Sequence, residues 1–134
     1  MGLEMVVAEE LHRRRNLEIR SRSINASDML RLYRWANDRE ARRNSLEQDF
    51  IGWGTHSIWF LRRLLWQRKT TLIVTGRFGK GLFVPMMVCR VDPASDQTGT
   101  WIISINLDPR FRGKGLSRDL LETAIDIFKR RFAN

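Results

Sequence analysis

The stretch from Ile103 to Arg118 constrains this chain more than any other. Ile103, Ile105 and Leu107 alternate with Ser104 and Asn106, the period-two pattern of a strand. Pro109 cannot donate to a sheet ladder and closes that strand. Gly113 and Gly115 then allow positive φ and close backbone approach. Leu116, Leu120, Leu121, Ala124, Ile125 and Phe128 follow at the spacing of one helix face. A helix that starts from such a turn points its first amides, which have no intrahelical acceptors, toward the turn. With the helix dipole they form an anion site. Arg112, Lys114 and Arg118 sit at this same end, where acidic residues are the favoured type, so an external anion such as a pyrophosphate is expected. A plain strand-to-helix turn with solvated basic residues is the competing reading.

Other phosphate motifs fit less well. No Gly-x-x-x-x-Gly-Lys-Ser/Thr segment occurs, and Arg118 stands where a dinucleotide fingerprint needs its third glycine.

The remaining elements can be read from the same periodicities. Leu17, Ile19 and Ser21 alternate with Glu18, Arg20 and Arg22, a first strand. Asn25, Ser27 and Asp28 supply helix-start chemistry for an amphipathic helix over about 27–37, with Met29, Leu32, Tyr33 and Ala36 inward. A polar connector, Arg39 to Asp49, leads to a second helix from about Thr55, with Trp59, Phe60, Leu64 and Trp66 as its stripe. Strands are expected over Thr70–Thr75, Leu82–Val91 and Thr100–Leu107, with a hairpin turn at Gly76–Gly81 and a loop at Asp92–Gly99. Pro85 marks an edge, a bulge or a kink. The order strand, helix, helix, three strands, helix predicts an α+β domain of the three-layer α/β type, a mostly antiparallel sheet flanked by helices.

At 134 residues the chain suits one domain with a real core. Residues 1–16 read as a flexible leader and 17–134 as the folded domain. The apolar run Leu82–Cys89 is too short to span a bilayer, and the N-terminus lacks a basic n-region, so the expectation is a cytoplasmic protein with no membrane partner. The lone Cys89 excludes an internal disulfide and reads as a buried thiol. A net charge of +9 favours an anionic partner without choosing one. The basic residues are scattered and match no nucleic-acid motif, which makes a nucleic-acid-binding domain the weakest class. No His/Cys/Asp/Glu cluster suggests a metal.

Arg112-Gly113-Lys114-Gly115-Leu116-Ser117 resembles the acetyl-CoA motif Gln/Arg-x-x-Gly-x-Gly/Ala of the GCN5-related N-acetyltransferases, with Ser117 in place of the last small residue. The resemblance implies an acyl-CoA N-acyltransferase-like fold in which the fourth strand's main chain, at Ile105, Asn106 and Leu107, holds pantetheine. Arg112, Gly113, Lys114, Gly115, Leu116, Ser117 and Arg118 would cradle the pyrophosphate. Upstream, Trp35-Ala36-Asn37-Asp38-Arg39-Glu40-Ala41-Arg42 and His56-x-x-Trp59 resemble segments of members that acetylate ribosomal-protein termini or nucleotide-linked amino sugars.

The resemblance implies acetyl-CoA as cosubstrate and a small primary amine or a protein N-terminus as acceptor. Trp35, Asn37 and His56 become substrate candidates, and Glu40 a candidate base from the connector. Asn106 would meet the thioester carbonyl through its side-chain amide or its backbone. Asp108 reads as a turn cap, and Tyr33 as a core residue. The family continues with further strands and a helix after this point. The chain is therefore expected to be a fragment, an inactive relative, or a homodimer completed at the exposed fourth-strand edge. A non-catalytic acetyl-CoA-binding module is the second reading of function.

Overall fold

A computed structural model describes residues 16–45, 49–94 and 99–132. All but the last residue of the expected leader therefore lie outside the described residues. Strand β1 is Leu17–Ser23, β2 is Thr71–Phe78, β3 is Val84–Pro93 and β4 is Trp101–Leu107. Helix α1 is Met29–Ala36, α2 is Arg39–Arg43, α3 is Trp53–Trp66 and α4 is Ser117–Phe132. The strands form one antiparallel sheet in the order β1-β2-β3-β4.

The chain leaves β1 through a capping box. Ser27 N–H donates to Asn25 Oδ1 at 3.0 Å, and Asn25 N–H donates to Asp28 Oδ2 at 2.9 Å. Asp28 is fully buried and holds Arg22 at 2.7 Å and Arg31 at 2.8 Å. A buried carboxylate persists in this way only when paired on every side. The expected polar connector contains a short helix. Asp38 has its side chain where the Ala41 N–H donates at 3.2 Å, so it caps α2.

Strand β2 runs past its expected end at Thr75 to Phe78, because Gly76, Arg77 and Phe78 pair with Ile19, Glu18 and Leu17 of β1, and Gly76 lies so close to Met86 and Leu17 that it leaves no room for a side chain. The turn proper is 79–81, with Gly79 at φ +66°. Pro85 sits at a bulge: the β2–β3 register passes from Val74↔Met87 to Thr75↔Pro85.

The sheet separates two cores. Leu72, Val74, Met87, Cys89 and Val91 face α4, which supplies Leu120, Ala124 and Phe128. On the other side Ile73 joins Ile24, Leu32 and Trp35 of the α1 side and Phe60 of α3. Cys89 is a buried free thiol, pushed by desolvation up to about 11. The stripe expected on α3 is corrected at its end. Trp66 is 76% exposed, and Arg63 takes the buried position, paired with Asp92 at 2.5 Å. Tyr33 is half-buried rather than core, its ring set edge-on against Trp53.

Candidate functional site

The C-terminal end of β4 carries the site. Asp108 N–H donates to Met86 O at 2.7 Å, across to β3. Backbone groups in an antiparallel pair alternate in direction along each strand. Asn106 and Ser104 therefore also turn their main chain to β3, while Ile105 and Leu107 turn theirs to the side of β4 that pairs with no other described strand.

This alternation corrects one expectation and sharpens another. The Asn106 main chain is committed to β3. Its side-chain amide donates to Trp35 O at 2.8 Å, and its Oδ1 accepts from Arg112 at 3.3 Å. Asn106 is a brace between β4, α1 and the turn. The outward main-chain groups are those of Ile105 and Leu107.

After β4 the chain makes a short 3-10 turn, Pro109–Phe111. Asp108 caps it, accepting from Arg110 N–H at 2.8 Å. The same carboxylate accepts from the buried Trp35 Nε1–H at 3.0 Å. Burial pushes the Asp108 carboxyl up, but hydrogen bonds from the Arg110 side chain and amide and from Trp35 hold it below the ordinary range. The turn then passes through Gly113 at φ +72° and Gly115 at φ +71°. Nothing lies within 4 Å of where a Gly113 side chain would begin, so its glycine is required by conformation rather than by packing. Leu120 N–H donates to Leu116 O at 3.1 Å, which opens α4 just beyond Gly115. The amides of Ser117, Arg118 and Asp119 thus lie in the unsatisfied first turn, beside the exposed Lys114.

Arg112 turns inward. It pairs with Asp38, the α2 cap, and lies 3.3 Å from Glu40 Oε2. The Arg112 side chain holds the Asp38 carboxyl below its usual range. Asp38 escaped the sequence reading as a site residue. Its place before α2 signals a cap, but a partner 74 residues away leaves no local trace. Asp38, Glu40, Pro109 and Arg112 border a cleft of about 440 Å³ between α2 and the turn. Glu40, 63% exposed at its side chain, can reach solvent there.

The three expected substrate residues do not line this cleft. Trp35 is buried under Asp108. Asn37 bonds both ways to Ile51, donating to its carbonyl at 2.9 Å and accepting from its N–H at 2.7 Å. His56 is 2% exposed, at 3.0 Å from Met29 O, among Tyr33, Trp53, Trp59 and Phe60. Burial drives its pKa down. Arg118 pairs with Glu122 at 3.1 Å on the exposed side of α4. Among the described residues no group of three or more His, Cys, Asp or Glu is placed to hold a metal ion.

A family model described as the acetyltransferase (GNAT) family matches residues 26–134. No curated protein matches the chain. Among solved structures, a domain from Methanocaldococcus jannaschii superposes with a TM-score of 0.67 at 17% identity, over 87% of this chain and 73% of that one. An N-acetyltransferase from Staphylococcus aureus superposes at 0.60 and 19% identity, over 86% and 68%. The yncA protein of Salmonella typhimurium, solved with its cofactor acetyl-CoA, superposes at 0.57 and 20% identity, over 86% of this chain and 64% of its own. The chain thus spans about two thirds of the length of these structures, and the sheet and helices described above follow their fold.

Proposed function

The chain belongs to the acetyltransferase (GNAT) family, and on that premise we propose that residues 17–134 form a domain that moves an acetyl group from acetyl-CoA to a primary amine. The observation that carries this reading is the outward main chain of Ile105 and Leu107 leading into the two-glycine turn and the first amides of α4. Pantetheine lies along that edge as an added strand would. The pyrophosphate sits on Gly113 to Arg118, where unsatisfied amides and Lys114 meet negative charge. A structural neighbour solved with acetyl-CoA supports acetyl-CoA as the cosubstrate.

In the transfer, the amine nitrogen attacks the thioester carbonyl, the oxyanion is met by an outward N–H of β4, and the C–S bond breaks as the nitrogen gives up its second proton, which ends on the departing CoA sulfur. The amine must first lose a proton. Glu40 is the proposed acceptor, because it opens onto the cleft beside the turn. The residues that carry the likeness to the ribosomal-terminus and amino-sugar subgroups, Trp35, Asn37 and His56, are occupied in packing and loop closure, so the acceptor is proposed no more finely than a primary amine.

The outer edge of β4, which pairs with no other described strand, favours a second element of the reading, a homodimer paired along the fourth-strand edge. Light scattering showing a monomer at high concentration would remove it.

The test of the acetyl-CoA site is calorimetric titration of the wild type and Gly115→Glu. A side chain at φ +71°, carrying negative charge into the turn, should cost at least about tenfold in affinity. Equal affinity sinks the site. Binding without acetyl transfer to any amine of a panel would leave a cofactor-binding module in place of an enzyme.

A further inference from the structure

Helix α3 is apolar on both sides. Its inward side carries Phe60 and the buried His56 and Arg63. Its outward side carries Ile58, Leu61, Leu65 and Trp66, which are 58%, 48%, 65% and 76% exposed. A contiguous exposed apolar face on a helix already packed on its other side marks an interaction surface. At the helix end the apolar face runs into a cleft of about 380 Å³ between Trp66 and Trp101.

The charge on α3 and on the residues that follow it has one sign, and Asp92, which lines the end cleft, is paired with Arg63 and Arg90. No Asp or Glu occurs between Asp49 and Asp92. Arg62 lies on the outward face, and Arg68 and Lys69 follow the helix; all three are exposed and enter no ion pair among the described residues. Arg131 donates to Lys69 O at 2.8 Å and so fastens the basic end of α4, with Lys129 and Arg130, beside the same corner.

We infer that the outward face of α3 lies on an anionic lipid surface, with Ile58, Leu61, Leu65 and Trp66 in the interface and Arg62, Arg68 and Lys69 at the headgroups. This outward face has the composition of an in-plane amphipathic helix: aliphatic residues and a tryptophan on one face, cations around it, and no acid on the helix itself. Charge selects this occupant. A second copy packed face to face would set Arg62 against its own mate with no carboxylate on the helix to meet it. A nucleic acid would use the basic residues but find aliphatic side chains on a convex helix where it needs stacking platforms. No helix among the described residues is long and apolar enough to cross a membrane, so the contact is peripheral. An anionic surface is one of the partners that the +9 charge favours.

The test is co-sedimentation of the whole chain with vesicles of phosphatidylcholine alone or mixed with phosphatidylserine. Binding to the mixed vesicles should exceed binding to phosphatidylcholine by at least about tenfold and weaken with salt. Leu61→Glu/Leu65→Glu should abolish it while acetyl-CoA affinity and circular dichroism stay unchanged. Arg68→Ala and Lys69→Ala should each cost about fivefold. Gly115→Glu should bind vesicles as the wild type does, which separates this surface from the acetyl-CoA site. Equal binding to both vesicle types, no binding at all, a dimer that Leu61→Glu/Leu65→Glu dissolves, or an RNA complex lost with Arg68→Ala would each overturn the inference.

Discussion

Arg112, the first residue of the glycine motif, closes an ion pair on Asp38, the residue that caps α2. Two segments far apart in sequence are locked there, and each side chain is about one-fifth exposed. Arg112 also touches Glu40 and Asn106, so its charge is spent within the protein and Lys114 remains the outward cation of the turn. A double-mutant cycle with Arg112→Gln and Asp38→Asn, followed by urea unfolding, should return a coupling of about 1 kcal/mol. Strict additivity would mean that the pair does not form in solution.

The two glycines of the motif make separable demands. Gly113 sits at φ +72° with open space around it, so substitution there meets a conformational cost and no clash. Gly113→Ala should lose about 1–2 kcal/mol of stability in a urea midpoint comparison. Gly113→Asn should lose visibly less, because asparagine tolerates the left-handed region. Equal losses would point to crowding instead.

The strand, turn and helix at the candidate site could be read in the sequence because their signals are local. Period-two alternation placed β4, Pro109 ended it, and the glycines and the stripe after them opened α4. Asp108 read as a turn cap and is one. What escaped was non-local. Trp35, Asn37 and His56 looked available for a ligand, since nothing in their neighbourhood shows that Asp108, Ile51 and Met29 O will claim them. Asn106 looked free until the register with β3 fixed which way its main chain faces. Helix α3 is ambiguous for another reason: with apolar residues on both sides, its sequence does not say which side is inside, and Trp66 lies outside.

Asp28 should set the acid limb of the stability curve. Burial pushes its carboxyl up, but the Arg22 hydrogen bond, the Asn25 amide and the Arg22 and Arg31 charges outweigh that and leave it below its ordinary value of 3.8. Asp38 and Asp108 are lowered as well. A folded value below the unfolded one means that the unfolded chain takes protons first. Stability is then full above about pH 5 and falls as the pH drops through 4 and below. Asp28→Asn should flatten that fall and lower stability at neutral pH by about 3–5 kcal/mol, since Arg22 and Arg31 lose their buried partner. Urea midpoints between pH 3 and pH 7 check both parts, and an unchanged slope would assign the acid limb to other carboxylates.

At His56 burial and hydrogen bonding oppose each other. Desolvation lowers its pKa from 6.5, and the Met29 carbonyl, which accepts from Nε2–H, offsets part of that. The folded value therefore lies below the unfolded one. The unfolded chain binds the proton first, so this stability is full above pH 6.5 and drains as the pH falls beneath it, ahead of the carboxylate limb. His56→Gln keeps a donor for Met29 O and cannot titrate. It should lose about 1–2 kcal/mol at pH 8 through poorer packing against Tyr33, Trp59 and Phe60. It should then show a smaller drop in Tm between pH 8 and pH 5.5 than the wild type. Acetyl transfer, measured by thiol release, should survive the change with kcat within about threefold, since the ring does not reach the cleft. A collapse of kcat with Tm preserved would instead give His56 a part in the chemistry and move the acceptor site toward α3.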